Sequence, residues 1–253
     1  VRASASGQVE KATKERPAFT APPPPNDAQQ QKIRDYLTQR GIKSPEKLPP
    51  TIRMDSRGNI GFLTFTDPKT CVGMELKGTD PARPFTGLAV GSSREGGFRA
   101  SDGIQKDRKP DLVITESAID ALSYIQLSDT QQNHPNGVMA VSTAGVRATV
   151  NKRITNLLPQ VDRVVIAYDN DEAGQSFGAK LGRAIKNIFQ GAVRLFQLPA
   201  GCKDVNDLLQ SQRKPKPTRE TAPEQSQRKP KPTREAAPEP DDESDDYDTG
   251  LSM

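Results

Sequence analysis

At 253 residues, with 33% hydrophobic and 5% aromatic residues, 22 prolines and no tryptophan, the chain has room for one sizeable domain or two small ones beside stretches too polar to bury a core. A net charge of +4 does not by itself demand a polyanionic partner. No apolar run reaches membrane-spanning length, the first residues are not signal-like, and Cys71 and Cys202 lack CxxC or Cys/His spacing, which excludes a structural zinc and predicts a soluble protein of a reducing, cytoplasmic compartment.

The chain opens on Val1 rather than Met, as a piece of a longer protein would. Residues 1–27 are small and charged and end in Ala21-Pro-Pro-Pro-Pro25, which reads as a disordered, proline-stiffened linker. Asn26 or Asp27 then caps a helix over about residues 28–40, with Ile33, Tyr36 and Leu37 on one face and Gly41 as its stop. From Thr51 to Phe98 the pattern changes to strands and turns. Thr51–Met54, Ile60–Thr66 and Cys71–Leu76, separated by Ser56-Arg-Gly-Asn59 and Asp67-Pro-Lys-Thr70, predict an antiparallel meander, so residues 28–105 form a small α+β domain. Its basic residues (Arg53, Arg57, Lys69, Lys77, Arg83, Arg94, Arg99) and Phe62, Phe65, Phe85 and Phe98 fit either a nucleic-acid surface or a core with solvated charges around it.

Downstream, residues 106–210 alternate strand and helix. Asp111-Leu-Val-Ile-Thr-Glu116 is a buried-strand run ending in an acid, and Ser117 opens a helix carrying Ile119, Leu122 and Ile125, with Asp120 one turn beyond Glu116. Val138–Ser142 is a strand, Thr143-Ala-Gly145 a turn, and Arg147–Leu158 a helix with Val150, Ile154 and Leu157 inward. His134, the only histidine, sits in an Asn-His-Pro-Asn loop and reads as structural. Val164-Val-Ile-Ala167 is a third strand, and Asp169-Asn-Asp171 follows it. Gly174 marks the turn into a helix bearing Phe177, Leu181, Ala184, Ile185 and Ile188. Ala192–Leu198 gives a fourth strand, followed by Lys203-Asp-Val-Asn-Asp207. This alternation predicts an α/β fold with a mainly parallel four-stranded sheet whose acids share its carboxyl edge, where open sheets bind ligands.

Asp169 and Asp171, at alternate positions on such a turn, can aim at one point. Holding them together unneutralised costs several kcal/mol, roughly, in Coulomb and desolvation terms. A hard cation such as Mg2+ is the best match, because no His or Cys lies nearby. A solvated Asp-Asn-Asp turn is the plain alternative. A calcium EF-hand fails, since Ala173 and Lys180 stand where oxygen ligands are required.

These residues resemble the Toprim domain of bacterial-type primases, topoisomerases and several nucleases. Val113-Ile-Thr-Glu-Ser-Ala-Ile-Asp120 carries the first motif, Asp169-Asn-Asp-Glu-Ala-Gly174 is similar to the primase form of the second, and Lys203–Asp207 looks like the downstream acidic element of primases. Ser117 departs from the glycine that many primases have there. The upstream half resembles the uncharacterised domain that precedes Toprim in plasmid, conjugative-element and relaxase-linked proteins. The resemblance implies that Glu116, Asp169, Asp171, Asp204 and Asp207 hold one or two Mg2+ ions, Mn2+ being a substitute, with Glu116 as general acid/base and Asp120, Asn170 and Lys203 in support. It further implies nucleotidyl transfer on single-stranded DNA, with strand cleavage or a non-catalytic DNA-binding module of a relaxase as alternatives. Nucleotides and replication or relaxosome proteins would be partners, and no membrane is implied.

The tail repeats itself. Ser-Gln-Arg-Lys-Pro-Lys-Pro-Thr-Arg-Glu occurs at 211–220 and again at 226–235, ahead of the acidic run Asp241–Asp248. Such a charged, proline-rich segment is expected to be disordered. Its lysines can tether nucleic acid, or its acidic end can simply neutralise its basic part.

Overall fold

The computed structural model describes residues 17–45, 49–127 and 133–213. The expected first helix is α1 (Asp27–Gln39). The Asn26 side chain takes the Gln29 amide at 2.9 Å while the Gln29 side chain takes the Asn26 amide at 3.0 Å, a reciprocal capping box. Gly41, at φ +79°, turns the chain away after Arg40.

Residues 17–25, expected as a disordered linker, belong to the fold instead. Phe19 packs against Leu63, Met74 and Leu76, and a Cβ on Gly91 would come within 2.4 Å of the Pro17 carbonyl oxygen. A polyproline run has little backbone freedom left to lose, which lowers the cost of docking it. The disorder expected for the first residues and for the repeat tail lies outside the described residues, apart from Ser211, Gln212 and Arg213, the first of which closes a helix and the second of which is its C-cap.

Four antiparallel strands follow in the order β1 (Ile52–Met54), β2 (Ile60–Phe65), β3 (Cys71–Lys77) and β4 (Thr86–Leu88). Their turns are made by aspartates. Asp55 Oδ1 accepts the Arg57 and Asn59 amides at 2.9 and 2.8 Å, and Asp67 Oδ1 accepts those of Lys69 and Thr70 at 2.9 and 3.0 Å. An isolated bridge between Phe65 and Gly97 leads into the second sheet.

That sheet contains the four expected strands, β6 (Asp111–Thr115), β7 (Val138–Ser142), β8 (Arg163–Ala167) and β9 (Ala192–Leu195), and a fifth. The added strand, β5 (Arg99–Asp102), pairs antiparallel with β7 at the edge, giving the order β5-β7-β6-β8-β9 with the rest parallel. Helices α2 (Ala118–Leu127), α3 (Lys152–Leu157), α4 (Glu172–Lys186) and α5 (Val205–Ser211) complete the fold. The helix expected from Arg147 begins only at Lys152. Asn151 is its cap, taking the Ile154 amide at 2.9 Å while its own amide donates to the Gly96 carbonyl at 3.2 Å. Ile188, expected on α4, lies beyond that helix and is 55% exposed.

Strand residues alternate between two cores. Leu112, Ile114, Met139, Val141, Val164 and Ile166 pack with Ile154, Leu157, Leu181 and Ile185 of α3 and α4. Val113, Val138, Ala140, Val165 and Ala167 face α2 and α5 and share their core with Ile33, Leu37, Ile52, Ile60, Phe62 and Phe98. The first sheet and α1 therefore share a core with one face of the second sheet. Phe62 and Phe98 meet edge to face at 5.2 Å in that core. Both cysteines are free, and among the described residues no helix is long and apolar enough to cross a membrane.

Candidate active site

Thr115 of β6 is in register with Ala167 of β8, so Glu116 and Asp169 emerge side by side from the carboxyl edge of the sheet. The Asp169 amide donates to Glu116 Oε1 at 3.1 Å. Asp171 caps α4, its Oδ1 taking the Gly174 amide at 2.7 Å. Gly174 thus sits in the first turn of α4 rather than before it. A Cβ there would lie 2.2 Å from the Asp169 carbonyl oxygen and 2.9 Å from Glu116 Oε1, so only glycine lets the helix approach both acids.

The electrostatics follow from this crowding. Burial, joined by the charges of Glu116, Asp120 and Asp204, pushes the Asp169 carboxyl up to about 7, against the pull of Lys203. Glu116 is raised too, first by burial and then by Asp171 and Asp120, with the Asp169 amide and Lys203 opposing. Asp120, 5% exposed, is raised by burial and by Asp204.

The remaining predicted residues divide by role. Asp120 accepts the Ser117 hydroxyl at 2.6 Å and the Asn206 amide at 3.2 Å, so it fixes α5 against α2 rather than facing the edge. Asp204 caps α5 by taking the Asp207 amide at 2.7 Å. Asp207 is exposed and accepts the Lys203 amide at 3.3 Å. Asn170 donates its amide to the Lys203 carbonyl at 2.7 Å, which ties the Asp-Asn-Asp turn to the Lys203–Asp207 segment. The structure thus joins Glu116 to Asp169 directly and sets Asp171 and Asp204 within electrostatic reach, while Asp207 is engaged with its own loop.

A divalent cation fits this donor set by its chemistry. The groups are hard oxygens, and their mutual repulsion is what such a charge relieves. Among the described residues no three His, Cys, Asp or Glu side chains form a ready-made metal cage. Mg2+ does not require such a cage, since it keeps several waters and takes one or two carboxylates beside substrate phosphates.

Sequence reasoning missed Glu75. This carboxylate of β3 is 1% exposed; it accepts the Ala118 amide with both oxygens, at 3.0 and 3.1 Å, and the Ser142 hydroxyl at 2.8 Å. Lys77 lies 3.9 Å away. Burial raises its pKa despite these partners. The first sheet thereby caps α2 and steadies the turn that carries Glu116. An acid among apolar strand residues was the only signal available. Tyr168 is the other such residue: its hydroxyl pairs with Thr143 Oγ1 at 3.1 Å, and burial pushes it up to about 12, which keeps the phenol protonated.

Residues 113–209 match the family described as Toprim-like, and the parallel-rich sheet with its helices is that α/β fold. A curated relative, a 65 kDa protein of Zymomonas mobilis subsp. mobilis, is 41% identical over 217 residues, which cover 84% of this chain and 36% of the relative. The chain therefore spans about a third of that protein's length. Among solved structures, the primase fragment of the bacteriophage T7 primase-helicase aligns at 21% identity over 69% of each chain, with a TM-score of 0.47. A DnaG primase catalytic domain bound to single-stranded DNA aligns at 18% identity over 71% of this chain and 67% of its own, with a TM-score of 0.46.

Proposed function

We propose that this chain carries the catalytic site of a Mg2+-dependent, primase-like nucleotidyltransferase acting on single-stranded DNA. The observation that carries the reading is the pairing of Glu116 with Asp169 beside Asp171 at one sheet edge of a Toprim-like fold, in surroundings that raise the pKa of both Glu116 and Asp169. Asp169 and Asp171, with Glu116, would hold Mg2+, which when bound neutralises phosphate charge and supports pyrophosphate departure. Glu116 then serves as the base. Its raised pKa lets it take the proton of the attacking 3′-hydroxyl as the oxygen–phosphorus bond forms and pyrophosphate leaves. Asp120, through Asn206 and α5, keeps the Lys203–Asp207 loop close, where Lys203 offsets part of the acidic charge. Residues 28–105 would form the associated domain and 106–210 the Toprim domain of a cytoplasmic plasmid or mobile-element protein, with replication or relaxosome proteins as partners.

The test is incorporation of labelled nucleotides on single-stranded DNA with Mg2+ or Mn2+, comparing the native chain with Asp169→Ala/Asp171→Ala and scoring nicking in the same tubes. Extension products that vanish in the double variant support the reading, whereas metal-dependent nicking alone replaces it with a nuclease. A second reading, a phosphate-binding module without turnover, is favoured by the use of Asp171 and Asp204 oxygens as helix caps, which leaves fewer carboxylate oxygens for metal ions. DNA binding without either product would establish it.

A further inference from the structure

Arg153 is only 4% exposed. Its Nε has no hydrogen-bond partner, and among the described residues no carboxylate stands within ion-pair distance of its guanidinium. Its backbone is held in place, the amide donating to the Glu95 carbonyl at 3.0 Å. Its stem crosses bare backbone at Gly97, where a Cβ would lie 3.4 Å from Arg153 Cγ, beside the Phe65–Gly97 bridge between the sheets. Burial and the neighbouring Arg99 charge lower its pKa to about 10, with Asp67 opposing. An unpaired buried charge is strongly destabilising, and an apolar side chain would fill the same crease without that cost. Two guanidinium groups close together, one of them without an acceptor, make a site for an anion.

The position indicates which anion. Arg99 is exposed on β5 and pairs in register with Val141, one residue before Ser142, which aligns with Thr115 and so with Ala167. The Arg99 backbone therefore starts at the same carboxyl edge as Glu116 and Asp169, next to the Gly97 backbone that the Arg153 stem crosses, and its guanidinium reaches back over β7 to Met139 Sδ at 3.9 Å. With strands about 4.8 Å apart, β5 is roughly 10 Å from β6 and roughly 15 Å from β8, a distance that a few nucleotides of one strand cover.

We propose that Arg153 and Arg99 form an anion subsite for a backbone phosphate of the nucleic-acid strand that passes along the acidic edge. The identity of that strand rests on the function proposed above; the subsite itself rests on the two arginines. Arg153 supplies a preset guanidinium that loses little freedom on binding, and Arg99 supplies the solvent-facing half.

Fluorescence anisotropy of a labelled oligothymidine on the full chain, repeated across salt concentrations, tests this. R153Q weakens binding about tenfold and lowers the slope of log K against log salt by roughly 0.7, the share of one phosphate on a single strand. R153K keeps the slope. R99Q acts in the same direction from an exposed position and decides the matter if R153Q does not fold. The Asp169→Ala/Asp171→Ala chain keeps or gains affinity. Folded R153Q and R99Q chains with native affinity and slope overturn the subsite, as does a native chain that binds no single strand. Binding that depends on Arg153 in a chain that incorporates no nucleotide leaves the subsite standing and overturns the catalytic reading instead.

Discussion

Strands β6 and β8 run side by side in register, yet their two ends treat carboxylates in opposite ways. At the amino ends Asp111 is opposite Arg163. Burial alone would raise its pKa, but Asp111 Oδ2 receives His134 Nδ1 at 2.6 Å and the Arg163 guanidinium, and the result is a lowered pKa. At the carboxyl ends Glu116 and Asp169 crowd together with Lys203 as the opposing charge, and both are raised. One end neutralises its acid within the fold. The other accumulates charge that a ligand can relieve, so the first serves stability and the second, on the function proposed above, serves binding.

The acidic end carries the largest expected effects. Glu116→Gln or Asp169→Asn should each lower nucleotidyl transfer about a thousandfold, roughly 4 kcal/mol of transition-state stabilisation, while the melting temperature stays level or rises; steady-state incorporation beside calorimetry checks both. Asp111→Asn should do the reverse. It strips Arg163 and His134 of their shared partner and should cost about 3 kcal/mol in urea unfolding, leaving the turnover of the folded fraction unchanged. Gly174→Ala should cost about 2 kcal/mol, because the methyl group collides with the Asp169 carbonyl oxygen and α4 has to shift; activity should fall with stability, which the same two assays read.

Stability against pH separates the two ends further. Asp169, with its carboxyl raised to about 7, is protonated in both states at low pH. As pH climbs from the unfolded value near 4 towards 7 the unfolded chain ionises first, so this group erodes stability over that window. Asp111 is lowered, so its contribution is full above the unfolded value and is lost as pH falls through its folded one. The stability curve of Asp169→Asn should lack the first limb and that of Asp111→Asn the second, so that each difference from the native curve isolates one limb; a difference curve that is flat throughout for either variant would sink that assignment. The smallest effect is a gain. Gly178→Ala places its Cβ 3.5 Å from Tyr168, an ordinary contact, and should stabilise α4 by up to about 1 kcal/mol in the same unfolding assay.

The parallel strands were legible because β6, β7 and β8 are continuous apolar runs, as strands covered on both faces have to be. β5 was not, since Arg99-Ala-Ser-Asp is short and polar, as an edge strand can afford to be. The start of α3 was misread because Val146 and Val150 continue its apolar pattern into residues that pack on the core without being helical; only the side chain of Asn151 marks the true beginning. At the site, the spacing of Glu116, Asp169 and Asp171 was readable, and so was the glycine that follows. The engagement of Asp207 with its own loop was not, because an acceptor of a loop amide and a metal ligand use the same residue type. Glu75 and Arg153 escaped for a different reason: each acts across an interface between sequence-distant elements, and neither spacing nor composition reports such a partner.

The reach of Glu75 across that interface has a consequence for transplantation. A graft of residues 106–213 onto another protein would carry every acid of the site yet leave the Ala118 amide and the Ser142 hydroxyl buried without their acceptor. The recipient would have to offer a carboxylate from outside at the same point, so the smallest portable unit of this site includes a strand that contributes no atom to its chemistry.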